Sequence, residues 1–210
     1  TGELRRRPGV VLATVGPGAT NLVNGVANAF LERAPLLVIS AQVATAAAQV
    51  NPHQRIDLES LFRPITKWSH TLTGSDTAAT VQHALTLTVQ GRPGPVYLAL
   101  PGDIARQADT TPDPRTLFDQ PPPTKPPARA DIDRAAQMIA AARKPLAVVG
   151  IGMDPVASRP AVLRWLEAAR LPVAVTPKAK GLVPEDHDLF VATCTGMAGD
   201  RLFTELVLES

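Results

Sequence analysis

Short apolar runs without strict alternation, several closed by a glycine or proline turn and followed by a helix-spaced stretch, set the pattern of this chain. Residues 9–15 (GVVLATV) predict a strand covered on both faces, because no regular polar position marks a solvent side. Gly16-Pro17-Gly18 break it. Over residues 19–33, Leu22, Val23, Val26, Ala29 and Phe30 recur at helical spacing and give one buried face. Pro35 then opens a second buried strand over 36–39. Strand, turn, helix and strand form the unit of a parallel sheet. Residues 41–60 are less regular and 76–90 predict another helix. Gly91-Arg92-Pro93-Gly94 stop that helix, and 95–100 predict a third buried strand.

Between Pro112 and Pro127 there are seven prolines in sixteen residues. Proline lacks the amide that a helix or a central strand needs, so residues 111–130 predict an extended linker. A second series follows: helix 131–142 with Asp131 as N-cap, strand 146–149, a glycine turn, helix 156–170, strand 172–176, a loop, and helix 200–209. The expected fold class is therefore α/β, two doubly wound parallel-sheet domains over 1–110 and 131–210. The chain opens on Thr1-Gly2-Glu3 without an initiator Met and closes at Ser210, where a further strand is expected. Both domains are accordingly expected to be incomplete.

Composition narrows the class. The 210 residues are 45% hydrophobic and 19% charged, which excludes wholesale disorder. Lys+Arg minus Asp+Glu is 21 − 19 = +2, and apart from Arg5, Arg6 and Arg7 the basic residues are scattered, so no nucleic-acid partner is expected. Cys194 is the only cysteine. It allows no intrachain disulfide and no cysteine metal site, and a reducing cytoplasm is the expected compartment. No apolar run approaches the ~20 residues of a membrane span, and residues 1–15 lack a signal-peptide pattern.

Two glycine turns carry the candidate chemistry. Gly16-Pro17-Gly18-Ala19-Thr20-Asn21 lies between a strand and a helix, where backbone amides and the helix dipole can accept an anion. It is not a clean dinucleotide fingerprint: Pro17 removes an amide, Asn21 takes the place of the third glycine, and Ile39-Ser40-Ala41 brings no ribose-binding acid. A tight structural turn and a specialised ligand turn both remain open. Gly150-Ile151-Gly152 has the same place in the second half, and its partner strand ends Val175-Thr176-Pro177-Lys178, again without an acid. His70, His83 and His187 have no metal-ligand spacing and read as ordinary packing or surface residues. Lys67, beside Trp68, is either ligand-facing or snorkelling. Asp154 and Asp200 are too isolated to pair as acid and base, and nucleophile-elbow, Walker and zinc motifs are absent.

Taken together, the segments resemble one family. Residues 8–14 (PGVVLAT) with GPGATN at 16–21 look like the pyrimidine-binding domain of thiamine-diphosphate enzymes of the acetolactate synthase group. Ile39-Ser40-Ala41-Gln42-Val43, His53-Gln54 with Asp57, residues 63–68 (RPITKW), residues 91–96 (GRPGPV) and residues 101–104 (PGDI) follow in the family order. Residues 131–210 resemble the start of the central domain, with Lys144-Pro145 before one strand and residues 178–181 (KAKG) after the next.

The resemblance implies a pyrimidine-binding domain, a Rossmann-like central domain and a third, diphosphate-binding domain, with the active site between two subunits of a homodimer or homotetramer. It implies thiamine diphosphate and Mg²⁺ as cofactors, with FAD in the flavin-binding branch, and a small 2-oxo acid as substrate. Pro17, Asn21 and Gln54 match positions on the aminopyrimidine; Asn21 and Gln54 offer amides and Pro17 a rigid apolar face. Arg92, Gly150, Gly152, Thr176, Met197 and Gly199 match positions lining FAD. The family's catalytic glutamate is expected upstream of Thr1 and its Mg²⁺ motif in the third domain, so no catalytic or metal-binding residue is expected within these residues, and the chain alone is expected to be inactive. His53, Arg55, Gly102 and Ala198 depart from the acetolactate synthase pattern, where Phe, Glu, Lys and His are usual, and point to different acyl chemistry. Two alternatives follow: a lyase or decarboxylase of the oxalyl-CoA or 2-hydroxyacyl type, with ADP or CoA replacing FAD, and a non-catalytic nucleotide-binding or assembly module.

Overall fold

The computed structural model describes residues 7–50, 52–108, 126–150, 152–153, 157–194 and 201–209. The chain divides into two compact units, Thr1–Thr124 and Lys125–Ser210. Their boundary falls within the proline-rich 111–130 segment, most of which lies outside the described residues.

In the first unit the order is β1 (Gly9–Ala13), α1 (Pro17–Thr20), α2 (Val23–Leu31), β2 (Leu36–Gln42), α3 (Leu58–Phe62), β3 (Ser69–Thr71), α4 (Thr77–Val89) and β4 (Pro95–Pro101). All strands are parallel, in the order β1-β2-β4-β3. Successive side chains of a strand point to opposite faces, and β4 shows the result. Tyr97 and Ala99 join Val38, Val26, Leu58 and Phe62 on one side. Val96 and Leu98 join Leu37, Leu72 and Ala84 on the other. Both faces are thus packed, as a doubly wound sheet requires.

The buried polar residues Ser40, Thr66 and Thr88 are all hydrogen-bonded. Ser40 and Tyr97, both fully buried, share a hydrogen bond of 2.6 Å between their hydroxyls. The Tyr97 ring stacks on Phe62 with centroids 4.2 Å apart. Burial pushes the Tyr97 phenol up to about 12, with the Ser40 hydrogen bond pulling the other way.

Four expectations for the elements need correction. β1 is not covered on both faces: it is an edge strand, and Val10 and Leu12 are 60% and 73% exposed on its outer side. The helix expected over 19–33 starts at Pro17 and is divided at Asn21 and Leu22, where the Leu22 amide donates to Ala19 in a tighter turn than the α-helical one. A third strand, Ser69–Thr71, precedes α4; it is short and polar, and only pairing with β4 makes it a strand.

The fourth correction concerns the second unit, which contains α5 (Arg129–Ala141), β5 (Ala147–Val149), α6 (Arg159–Ala169), β6 (Val173–Val175), β7 (Phe190–Thr193) and α7 (Arg201–Glu209). Its sheet is parallel, in the order β5-β6-β7. β7 occupies part of the stretch read as a loop, because the polar run before it hides a four-residue strand that pairs with β6. α5 begins two residues earlier than expected, with Ala128 rather than Asp131 at the N-cap position. Asp131 lies in the first turn, where its charge still complements the helix dipole. The core gathers Val149, Val162, Leu166, Val173, Val175, Leu182 and Val183. No helix among the described residues is long and apolar enough to cross a membrane.

Replacing Tyr97 by Phe leaves the buried Ser40 hydroxyl without its partner and is expected to cost about 1–2 kcal/mol. Urea unfolding of the Tyr97→Phe protein checks this; an unmoved midpoint means that the hydroxyl pair adds nothing to stability. Tyrosine ionises near 10.0 when unfolded and at about 12 here, so in the parent, but not the variant, stability falls as pH rises between those values.

Candidate functional site

Parallel strands end together, and the loops leaving their C-terminal ends form the usual ligand edge of such a sheet. In the first unit these are residues 14–21 after β1, 43–46 after β2 and 102–103 after β4. Gly16 adopts φ 60° and ψ −115°, a left-handed geometry that glycine takes without steric cost. A methyl group on Gly16 would stand 2.7 Å from the Gln54 carbonyl oxygen and 2.9 Å from the Gln54 Cβ. The backbone of Gln54 therefore lies directly against the turn that carries Pro17 and Asn21. All three of these side chains are exposed.

A line of hydrogen bonds fixes this arrangement. Gln42, the last residue of β2, donates from Nε2 to the Ile56 carbonyl (3.1 Å) and accepts at Oε1 from the Val43 amide (2.9 Å). The Gly102 amide donates to the Gln42 carbonyl (3.1 Å). Asp103 accepts from both the Thr45 amide and the Thr45 hydroxyl, which holds its carboxyl below the usual range. Asp57 caps α3 by accepting from the Ser60 amide at 3.0 Å, and that bond lowers its pKa. Gln54 itself has φ 62°, an uncommon value for a residue with a side chain.

The turn is not an anion cradle of the dinucleotide kind. α1 has only four residues, Pro17 has no amide, and the amides of Gly18, Thr20 and Asn21 donate to Val15, Gly16 and Pro17. What it offers a ligand is side chains. Gly18 is required by packing, since a methyl there would run into the Thr14 methyl.

Arg92 lies elsewhere in the first unit, on the exposed turn between α4 and β4, with its guanidinium 5.9 Å from the centre of the Phe30 ring. In the second unit, Gly150 follows β5 and Thr176 follows β6; a methyl on Gly150 would meet the Thr176 side chain at 3.8 Å, and Gly152 faces open space. Two adjacent parallel strands thus end in a bare backbone turn beside a hydroxyl. Met197 and Gly199 lie outside the described residues, as do Asp154, Asp200 and Ala198.

The histidines behave as packing groups. His70 stacks on Trp68, His83 meets the same ring edge-on, and His187 bonds Glu167. No cluster of three potential metal ligands occurs among the described residues. Lys67, read from sequence as ligand-facing or snorkelling, directs its ammonium to the backbone carbonyls of Leu87 and Gln90. Gln42, which organises the site, is not singled out by the sequence reading as a site residue. Gln42 has a legible signal, a polar residue closing an apolar strand; Lys67 has none that separates it from a snorkelling lysine.

Known proteins match along the same lines. The family model described as "Thiamine pyrophosphate enzyme, N-terminal TPP binding domain" matches residues 1–61, and the one described as "Thiamine pyrophosphate enzyme, central domain" matches 132–210. The acetolactate synthase isozyme 3 large subunit of Escherichia coli is 36% identical over 191 residues, covering 89% of this chain and 33% of the relative. A probable acetolactate synthase large subunit of Methanocaldococcus jannaschii is 34% identical over 206 residues, covering 96% and 35%. The acetolactate synthase large subunit of Corynebacterium glutamicum is 32% identical over 199 residues, covering 94% and 31%. The chain thus spans about a third of the length of these curated relatives.

Two outcomes follow from the geometry. Gly16→Ala combines a left-handed backbone with a collision against Gln54 and is expected to lower stability by about 1–3 kcal/mol, read by thermal unfolding. Asp57→Ala is expected to cost about 1 kcal/mol at neutral pH through loss of the cap. Because the folded-state pKa of Asp57 is the lower one, the parent's advantage is complete above the ordinary carboxylate range. It fades as pH falls through the folded value, so the two unfolding curves should converge in acid; a gap that stays constant with pH counts against the carboxylate's part in the cap.

Proposed function

Because the chain belongs to the thiamine pyrophosphate enzymes, we propose that the whole protein is a thiamine-diphosphate-dependent transferase or lyase of the acetolactate synthase type. It decarboxylates a small 2-oxo acid and passes the acyl group to a second carbonyl compound. The observation that carries this reading is the apposition of Gln54 to the Gly16 turn, which brings Pro17, Asn21 and Gln54 to one strand edge. Their segment is the one matched by the cofactor-binding family model.

The residues suit the aminopyrimidine. Its ring has donors and acceptors along one edge and two apolar faces. Asn21 and Gln54 each supply a carboxamide that can donate and accept, and Pro17 supplies an apolar wall without a competing amide. Thiamine diphosphate supplies the nucleophilic carbon and electron sink that let a 2-oxo acid lose CO₂ and hand on its acyl group. The part of these residues is to bind and orient, while the proton-transferring glutamate and the groups for Mg²⁺ are assigned outside residues 1–210.

The second unit takes a nucleotide in this reading, FAD in the acetolactate synthase branch. Gly150 and Gly152 let a ligand approach the backbone and Thr176 offers a hydroxyl; Arg92, in the first unit, is assigned to a nucleotide phosphate by similarity alone. Met197 and Gly199 are assigned to the same ligand by similarity. We further assign the protein to a cytoplasmic homodimer or homotetramer, supported by the exposed Val10 and Leu12 on β1 and the lone, buried Cys194.

The test uses the whole protein with pyruvate, thiamine diphosphate and Mg²⁺, reading acetolactate and CO₂. CO₂ with acetolactate supports the synthase reading. CO₂ without acetolactate supports a decarboxylase or lyase, and no turnover of any 2-oxo acid sinks the proposal. Asn21→Ala is expected to raise the thiamine diphosphate concentration for half-maximal activity about tenfold, the size of one lost hydrogen bond of roughly 1.4 kcal/mol. A flavin absorbance band in the purified protein identifies FAD; a colourless protein that releases ADP on denaturation identifies the alternative nucleotide.

A further inference from the structure

Lys67 is half-buried, and among the described residues no carboxylate pairs with it. Partial burial lowers its pKa. Its partners are backbone carbonyls: Nζ donates to Leu87 and, at 2.6 Å, to Gln90. Leu87 is in the last turn of α4 and Gln90 is its C-cap residue, so the ammonium meets the negative end of that helix.

The same lysine also grips the other side of the following turn. Its amide donates to the Pro95 carbonyl at 2.8 Å. Its stem lies so close to Gly94 that a methyl there would stand 3.2 Å from Cδ and 3.3 Å from Cγ. The Gly94 amide in turn donates to Thr88 at 2.9 Å. Residues 91–93 are therefore clamped at both ends, and Gly91 turns the chain with φ 61°. Arg92 sits in this clamped turn, exposed, over the Phe30 ring and with no carboxylate partner among the described residues.

We propose that Lys67 is a positioning residue: by tying the end of α4 to the start of β4 it holds Arg92 ready for the phosphate of a nucleotide. The ligand half of this inference rests on the nucleotide reading above. Lys67 does not touch the ligand. Its ammonium is occupied by the carbonyls of Leu87 and Gln90, and its effect on binding runs through Arg92 alone.

The experiment compares Lys67→Met, which keeps the stem and removes the donors, with Lys67→Arg, which restores donors, and with Arg92→Ala and the Lys67→Met/Arg92→Ala pair, all in the full chain. Hydrogen exchange comes first. Lys67→Met is expected to speed exchange in the peptide covering 90–96 about tenfold, with the α2 amides unchanged and Lys67→Arg close to the parent. Unchanged exchange at 90–96, or an acceleration spread evenly over the first unit, overturns the proposal.

Affinity for FAD, by flavin fluorescence, and for ADP, by calorimetry, forms the second arm. Arg92→Ala is expected to weaken nucleotide binding about tenfold and Lys67→Met several-fold, with no further loss when both are combined. An additive loss overturns the proposal, because Lys67 would then act independently of Arg92. If Arg92→Ala leaves both affinities unaltered, the nucleotide reading fails, and the exchange arm alone decides whether Lys67 clamps the turn.

Discussion

Parallel pairing of β2 with β4, from Leu36 opposite Pro95 to Gln42 opposite Pro101, forces these strands to end on the same edge. β1 pairs with β2 in the same sense, so the GPGATN turn leaves the sheet beside Gln42. Such pairing survives only if both faces are covered. The alternation of β4, with Tyr97 and Ala99 to one side and Val96 and Leu98 to the other, meets that condition within a few residues. The Ser40–Tyr97 hydrogen bond links the two central strands across it. The site depends on this sheet, because Gln54 reaches the Gly16 turn only after Gln42 has tied the 52–57 segment to the end of β2.

The edge also shows how the turn differs from a dinucleotide motif. In a phosphate-binding turn, free amides converge on the anion. Here the amides of Gly18, Thr20 and Asn21 are engaged within the turn and Pro17 has none. In the proposed reading, recognition falls to the exposed carboxamides of Asn21 and Gln54 and the ring of Pro17, a set suited to a flat heterocycle rather than to a diphosphate. The two halves of the chain therefore share strand-turn-helix architecture with different surroundings at the turn. At Gly150 and Gly152 the backbone is bare, while at Gly16 the bare backbone is filled by Gln54.

Much of this was legible in the sequence wherever an element makes its own case. The apolar runs at 36–39 and 95–100 lie in strands β2 and β4, and Gly91-Arg92-Pro93-Gly94 separates α4 from β4 as expected. The errors fall where tertiary partners decide. Val10 and Leu12 look like core residues, yet they lie on the outer side of an edge strand. Ser69–Thr71 has no strand signature apart from its partner β4, and Phe190–Thr193 is only one residue longer and follows a polar run. Lys67 is the plainest case. Its value lies in which carbonyls it meets, twenty and more residues away, and no local pattern encodes that.

Backbone strain separates the ligand edge from the rest of the scaffold. Among the described residues, four other than glycine have positive φ: Arg33, Gln54, Asp76 and Arg170. Arg33 and Arg170 follow helix C-termini, where a left-handed residue is an ordinary stop, and Asp76, at the start of α4, has a short polar side chain that tolerates this conformation. Gln54 belongs to no helix. It keeps the conformation because Gly16 is against its backbone on one side and Gln42 holds Ile56 on the other. Such a residue persists only where its surroundings over-determine it, and strain of about 1–3 kcal/mol at a ligand edge is a usual mark of pre-organisation. A cofactor bound against Gln54 would meet a carboxamide whose backbone is already fixed, so little ordering cost is left to the binding step.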